Sequence, residues 1–299
     1  MTPGHILLAL CVMLIWGVNF AVAKVTVAEL PPLFVNAVRF ALVAAILLPF
    51  VRIPRDKLKD IFILATIMAP FHFGLMFVGL TGTDAAAAAI AMQLSVPFAA
   101  LMASFYFHDK LGARRTIGMI IAFTGVVVLA GEPRMDGELF LLGMVVLSAA
   151  MWGVGNIQIK RIGDINPFAL SAGMAMFAAP ELLVLSLLLE EGQMQAVRTA
   201  DWTAWGGVIY MVVLVAIVSY AIWYHLLKIY AVNQVVPFSL LGPVFGVAAG
   251  ILLLGEVATW QKLVGGAITI AGVAMITLYR PPAPPCVPVA DPEQVAQKD

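Results

Sequence analysis

A chain of 299 residues that is 62% hydrophobic and 11% charged, with a mean hydropathy of +1.00, carries more apolar surface than a soluble core hides. Its formal net charge of zero leaves no basic footprint for nucleic acid. Its two cysteines, Cys11 in an apolar run and Cys286 in a Pro-rich tail, exclude a disulfide framework, so the excess apolar surface is expected to face lipid.

A helix needs about 20 apolar residues to cross a bilayer. Ten such stretches follow one another: helix 1 (5–24), helix 2 (32–51), helix 3 (60–80), helix 4 (85–107), helix 5 (114–131), helix 6 (138–160), helix 7 (167–189), helix 8 (204–228), helix 9 (234–254) and helix 10 (260–279). Polar or Pro/Gly-bearing breaks separate them, among them Pro31-Pro32 and Asn166-Pro167. The start has no basic segment and no small-residue cleavage site, so 6–24 reads as a retained helix. Residues 281–299, Pro-rich and then polar, are expected to form a disordered tail.

Lys and Arg positions set the orientation. With the N-terminus inside, twelve of them fall on the cytoplasmic side (Arg52, Arg55, Lys57, Lys59, Lys110, Arg114, Arg115, Lys160, Arg161, Lys228, Arg280, Lys298). Four fall opposite (Lys24, Arg134, Arg198, Lys262), and Arg39 lies within helix 2. Both termini are therefore expected in the cytoplasm.

The chain repeats itself. Trp16-Gly17-Val18 with Lys24 matches Trp152-Gly153-Val154 with Lys160, 136 positions on. Gly118 and Gly125 match Gly265 and Gly272, Asp109 matches Glu256, and Pro97 matches Pro243. Ten helices in two copies give five per copy, and an odd number inverts the second copy in the membrane. The expected fold is an all-α membrane protein of ten transmembrane helices as two inverted five-helix repeats, 1–132 and 133–280. Inverted repeats are a common construction of secondary transporters, in which a central site opens alternately to each side.

The stretches "IWGVNFAVAKV", "PPLFVNAVRF", "YAIWYHLLKIY" and "VVPFSLLGPVFGVAAGILLLGE" resemble the EamA family of the drug/metabolite transporter superfamily. The resemblance covers about residues 5–280 and extends to bacterial exporters of cysteine, O-acetylserine and other amino acids. It implies a bacterial inner-membrane location and efflux of small metabolites. It also implies a cavity lined mainly by helices 3, 4, 8 and 9. Relatives within the superfamily also move nucleobases, sugars and drugs.

Polar groups at membrane depth are costly and by default suggest function. Glu181, inside helix 7 after Pro180, is a candidate proton carrier or a structural carboxyl paired across helices. Arg39 either meets a substrate carboxylate or closes a structural pair. Lys24 and Lys160 end their helices, as interfacial side chains or as gates. Trp152, Asn156 and Lys160 form one helical stripe, as do Trp16, Phe20 and Lys24, and such a half-polar stripe faces protein or cavity. The central helices add His72, Gln93, Ser95, Tyr220, Trp223 and Ser239 as substrate-binding candidates. His72 is also a candidate proton site. Gly242, Gly246 and Gly250 form a ladder for close helix packing, with Pro97 and Pro243 as candidate hinges. Asp109 and Glu256 end helices 4 and 9 as candidate gate carboxylates or solvated helix ends.

Other classes fit less well. No H-E-x-x-H, G-x-S-x-G or phosphate-binding loop is present, so a protease, a hydrolase and an ATP-driven pump are not expected, nor a metal or cofactor. The expected partners are a small-molecule substrate, the bilayer and, as a candidate co-substrate, protons. Ten helices already supply both repeats, so a monomer suffices.

Overall fold

In lipid, backbone N–H and C=O groups find partners only within the chain, so each apolar stretch winds into a helix. The structure, a computed structural model, describes residues 1–107, 112–132, 137–230 and 232–278. Ten helices are long and apolar enough to cross a membrane. They are helix 1 (Pro3–Glu29), helix 2 (Pro32–Phe50), helix 3 (Arg55–Leu80), helix 4 (Ala85–Tyr106), helix 5 (Ala113–Ala130), helix 6 (Glu138–Ile162), helix 7 (Pro167–Leu189), helix 8 (Trp202–Ile229), helix 9 (Val236–Leu254) and helix 10 (Trp260–Thr277). The fold is all-α, as two inverted five-helix repeats. Asp109, the cations Lys110, Arg134, Arg280 and Lys298, and the tail 281–299 lie outside the described residues.

Helix 1 starts at what we call the proximal face and ends at the distal face; the rest alternate. Local chemistry sets the ends. Proline fills the first turn of helices 1, 2 and 7, where a missing N–H costs nothing. Thr2, Asn166, Asp201 and Thr259 accept N–H bonds at the starts of helices 1, 7, 8 and 10. Gly255, at φ 69°, turns the chain out of helix 9 in the left-handed conformation that suits glycine. A short distal helix, Gln193–Thr199, joins helices 7 and 8, where the sequence pattern shows only a polar break.

The two halves do not pack as separate lobes. Helix 1 lies against helices 8 and 9, and its counterpart helix 6 lies against helices 3 and 4. Helix 2 packs on helix 7, and helix 5 on helix 10. Each repeat thus finds its closest neighbours in the other.

Glycine makes the tightest of these seams possible. A Cβ at Gly265 would lie 2.7 Å from the Gly125 carbonyl oxygen, and one at Gly118 would lie 2.9 Å from that of Gly272. On the helix 1–helix 9 seam, a Cβ at Gly17 would meet the Gly242 oxygen at 2.7 Å and the Gly246 nitrogen at 2.8 Å. The glycine ladder expected in helix 9 therefore carries the contact with helix 1. It also serves helix 4, since a Cβ at Gly246 would lie 2.5 Å from that of Ala89.

Four helices leave α geometry, at corresponding places in the two repeats. Helix 3 is a π-helix over Ile67–Gly74 and helix 8 over Met211–Val218. Helix 4 tightens to a 3-10 turn over Met92–Leu94, and helix 9 over Val236–Leu241. Pro97 and Pro243 explain the latter pair. Neither can donate to the carbonyl four residues back, at Gln93 or Ser239. In helix 9 the tighter turn restores that bond, because the Gly242 N–H reaches the Ser239 oxygen. Pro70 explains helix 3 in the same way; helix 8 reaches its π geometry without a proline.

Replacing Gly125 by leucine is expected to destabilise the helix 5–helix 10 seam by about 1–3 kcal/mol, the usual cost of overpacking. Thermal unfolding in detergent checks this. Gly143→Leu, where nothing lies within 4 Å, is expected to leave the midpoint unchanged.

Candidate functional site

The irregular turns of helices 3 and 8 bring two aromatic clusters to the middle of the bundle, and the pseudo-symmetry relates them. In the first, the Trp16 indole N–H donates to Ser219 Oγ at 2.6 Å. The Trp16 ring lies 5.5 Å from that of Tyr220 and 5.4 Å from that of Trp223, and Tyr220 stacks on Tyr224. In the second, Trp152 lies 4.9 Å from His72, so His72 stands to Trp152 as Ser219 stands to Trp16. His72 is buried, with its ring 4.5 Å from that of Phe73. Ser148 of helix 6 holds it. The Ser148 hydroxyl donates to the His72 carbonyl oxygen at 2.9 Å, so His72 Nδ1–H is left to donate to the Ser148 carbonyl oxygen at 3.1 Å. That assignment places a proton on Nδ1.

Arg39 of helix 2 lies between these clusters. Its guanidinium is 4.8 Å from the Phe73 ring and 5.4 Å from the Phe40 ring. It is close enough to Tyr220 and His72 to act on them electrostatically. Arg39 is 4% exposed, and its Nε and Nη1 have no hydrogen-bond partner among the described residues. Asn19 Oδ1, one turn along from Trp16, is buried and without a partner in the same sense.

A second polar region closes the distal face. Beyond the Gly255 turn, the Glu256 carboxylate accepts the N–H groups of Ala85 and Ala86 at 2.6 and 3.0 Å, at the start of helix 4. Glu190 does the same at the start of helix 2, accepting from Leu33 and Phe34 at 2.7 and 3.1 Å. Lys262 bridges Asp84 at 2.5 Å and Glu132 at 3.4 Å. The Lys24 ammonium donates to the Thr83 carbonyl at 2.8 Å. Most of these bonds join one repeat to the other. A helix N-terminus presents unpaired donors and a partial positive charge, so a carboxylate there satisfies both.

The expected site residues separate accordingly. His72, Trp152, Tyr220, Trp223 and Arg39 come together at mid-depth. Asn156 bonds the Trp152 carbonyl on its own helix, and Ser239 bonds the Val236 carbonyl on its own turn, so both polar ends are locally engaged. Gln93 and Ser95 are half-buried around the helix 4 turn. Lys24 belongs to the distal closure, whereas Lys160 is exposed at the proximal face. Gly250 lies beneath the Glu256 carboxylate, and Pro97 and Pro243 are buried in their helices.

Glu181 faces elsewhere. It lines a groove of about 1100 Å³ on the outside of helices 3 and 7, with Phe62, Phe71, Phe177 and Val184. There it accepts the Thr66 hydroxyl at 3.0 Å. Its wall is apolar, whereas the polar chemistry gathers between helices 1, 2, 3, 6 and 8. The sequence reading missed Ser148, Ser219 and Glu190. Serine at membrane depth gives little signal on its own, and Glu190 reads as the ordinary end of helix 7.

Both halves of the chain, residues 4–131 and 139–278, match the model of the EamA-like transporter family. A probable amino-acid metabolite efflux pump of Salmonella typhimurium is 33% identical over 276 residues, 89% of this chain and 92% of its own length. The protein described by the same words in Escherichia coli K12 is 31% identical over 275 residues, with the same two shares. A crystal structure sharing 18% identity superposes with a TM-score of 0.62, covering 93% of this chain and 98% of that one, which supports the fold. With both repeats matched and the helices, seams and central clusters in place, the chain belongs to the EamA-like transporter family.

Proposed function

We propose that the protein exports amino acids or related small metabolites across a bacterial inner membrane by alternating access, with both termini in the cytoplasm. The observation that carries this reading is the pair of pseudo-symmetric aromatic clusters on the irregular turns of helices 3 and 8, set beneath a closed distal face. In this reading the site is reached from the proximal side, taken as cytoplasmic, as export requires. The relatives named for amino-acid metabolite efflux support the direction and the substrate class.

The packing suggests which parts move. Helix 1 stays with helices 8 and 9, and helix 6 with helices 3 and 4, so the moving bodies are these cross-repeat triplets rather than the sequence halves. Helices 3, 4, 8 and 9 bend at their π and 3-10 turns, where the hydrogen-bond ladder is already rearranged. In the alternate state the Glu256 bonds break.

Proteoliposome uptake tests the substrate class, with amino acids and O-acetylserine beside a nucleobase, a sugar and a cationic dye. Saturable flux of the amino acids is the expected outcome; flux of the dye or nucleobase alone would overturn it. Any response to an imposed pH gradient is expected to be lost in His72→Ala and kept in Glu181→Gln, because His72 sits among the central clusters and Glu181 on the outer groove.

Glu256→Gln tests the closure. It removes the charge from two hydrogen bonds of a kind worth about 1.5–3 kcal/mol each. The distal-open state then gains population, and a Tyr220→Cys label in a background without Cys11 and Cys286 should react with an impermeant maleimide from the distal side about tenfold faster. An unchanged labelling rate would remove Glu256 from the gate.

A further inference from the structure

Arg39 is a cation set seven residues into helix 2 from Pro32, about 10 Å below the distal face at 1.5 Å per residue. It is 4% exposed. Its Nε and Nη1 meet no acceptor among the described residues, and its nearest described partners are the faces of two phenylalanines. A charge held at this depth without a counter-charge is costly. Aromatic faces offset part of that cost but leave the donor fork unfilled.

The fold itself does not demand the charge. Pro32 and Pro167 open the matching helices 2 and 7, and the residue seven places after Pro167 is Met174. One repeat therefore builds this position with an apolar side chain. Nor do the described residues supply a carboxylate to it. Glu181, the carboxyl deepest within a described span, is bonded to Thr66 on the outer groove. The distal carboxylates are engaged at helix starts or with Lys262. An unfilled guanidinium between two aromatic clusters has the chemistry of a carboxylate receptor, because its planar fork takes both carboxylate oxygens.

We propose that Arg39 is the carboxylate subsite of this transporter, so that its ligands are small amphipathic carboxylates whose bodies pack against Phe73, Tyr220 and Trp16. The assignment rests on the transporter reading above and deepens it. It makes the site one-sided: the substrate's acid end points toward helix 2, and the Met174 side offers no second anion position. Arg39 is then empty in the ligand-free protein and filled at the moment of binding. That order also gives the substrate, rather than the empty carrier, the counter-charge that relieves the buried cation.

The test compares matched probes on the full-length protein in nanodiscs by isothermal titration calorimetry: leucine and phenylalanine against leucinamide and phenylalaninamide. The acids are expected to bind about ten- to hundredfold more tightly than the amides, the range for losing a charge-assisted hydrogen bond. Arg39→Gln is expected to erase that ratio. Arg39→Lys should keep a reduced one, since it retains the charge and loses the fork. Acids and amides binding within about threefold of each other in the wild type would overturn the proposal without any variant having to fold, on the same scale of expected loss. So would an Arg39→Gln protein that elutes as the wild type does and keeps the full ratio, which is what a purely structural arginine predicts. Failure of the underlying reading looks different: no amino acid shows saturable flux in proteoliposomes. Saturable flux with no preference for the acid removes only the assignment of Arg39.

Discussion

A helix that begins at a membrane surface exposes N–H groups that have no intrahelical partner, and the way those groups are satisfied organises this protein. At the distal starts of helices 2 and 4 the acceptors are carboxylates from the opposite repeat. Glu256, just past helix 9, bonds the start of helix 4, and Glu190, at the end of helix 7, bonds the start of helix 2. Each bond is charge-assisted and aligned with the helix dipole, so it is stronger than an ordinary surface contact. Each also breaks as a unit if the helix start moves away from its carboxylate. The same bonds thus fix the fold and define a closed face.

The centre of the bundle is governed by the opposite requirement, that backbone order be relaxed without loss of hydrogen bonds. Proline removes one donor from helices 3, 4 and 9, and π or 3-10 turns take up the difference. These turns lie beside the aromatic clusters, so the places where the helices bend most easily are also the places where polar and aromatic groups gather. Ser148 on His72 and Ser219 under Trp16 then fix the rings from the neighbouring helix. A small change in bend is converted directly into a change in ring position.

Much of this was legible in the sequence. Ten apolar stretches of the right length gave ten helices; helices 2 and 10 start at the expected residues 32 and 260, whereas helix 1 starts earlier, at Pro3, and helix 3 at Arg55. The Trp-Gly-Val repeat and the paired glycines of helices 5 and 10 gave the inverted duplication, because glycine at those spacings has a packing meaning that survives without coordinates. The site was only partly visible. His72, Tyr220, Trp223, Trp152 and Arg39, each singled out by its chemistry, lie together in the bundle, and their role stays a proposal. Asn156 and Ser239 spend their polar groups on their own helices, a choice that composition cannot reveal. Glu181 stood out by depth alone, and depth does not say which side of a helix faces lipid. The cross-repeat partners of Glu190 and Glu256 depend on pairs more than 150 positions apart, which no local pattern encodes.

The interleaving of the repeats bears on how such a chain is made. Helix 1 emerges from the ribosome first, yet the neighbours that cover Gly17 and Trp16 lie in helices 8 and 9, some two hundred residues later. Until those arrive, Arg39 lacks the aromatic wall of helix 8 and the start of helix 4 lacks Glu256, whereas the start of helix 2 waits only for Glu190 at the end of helix 7. The half-made protein is therefore an assembly of inserted but unmated helices, and its maturation is a late, long-range event that the last third of the chain triggers. In the finished bundle each repeat is packed against the other, so neither half has a folded form of its own to fall back on.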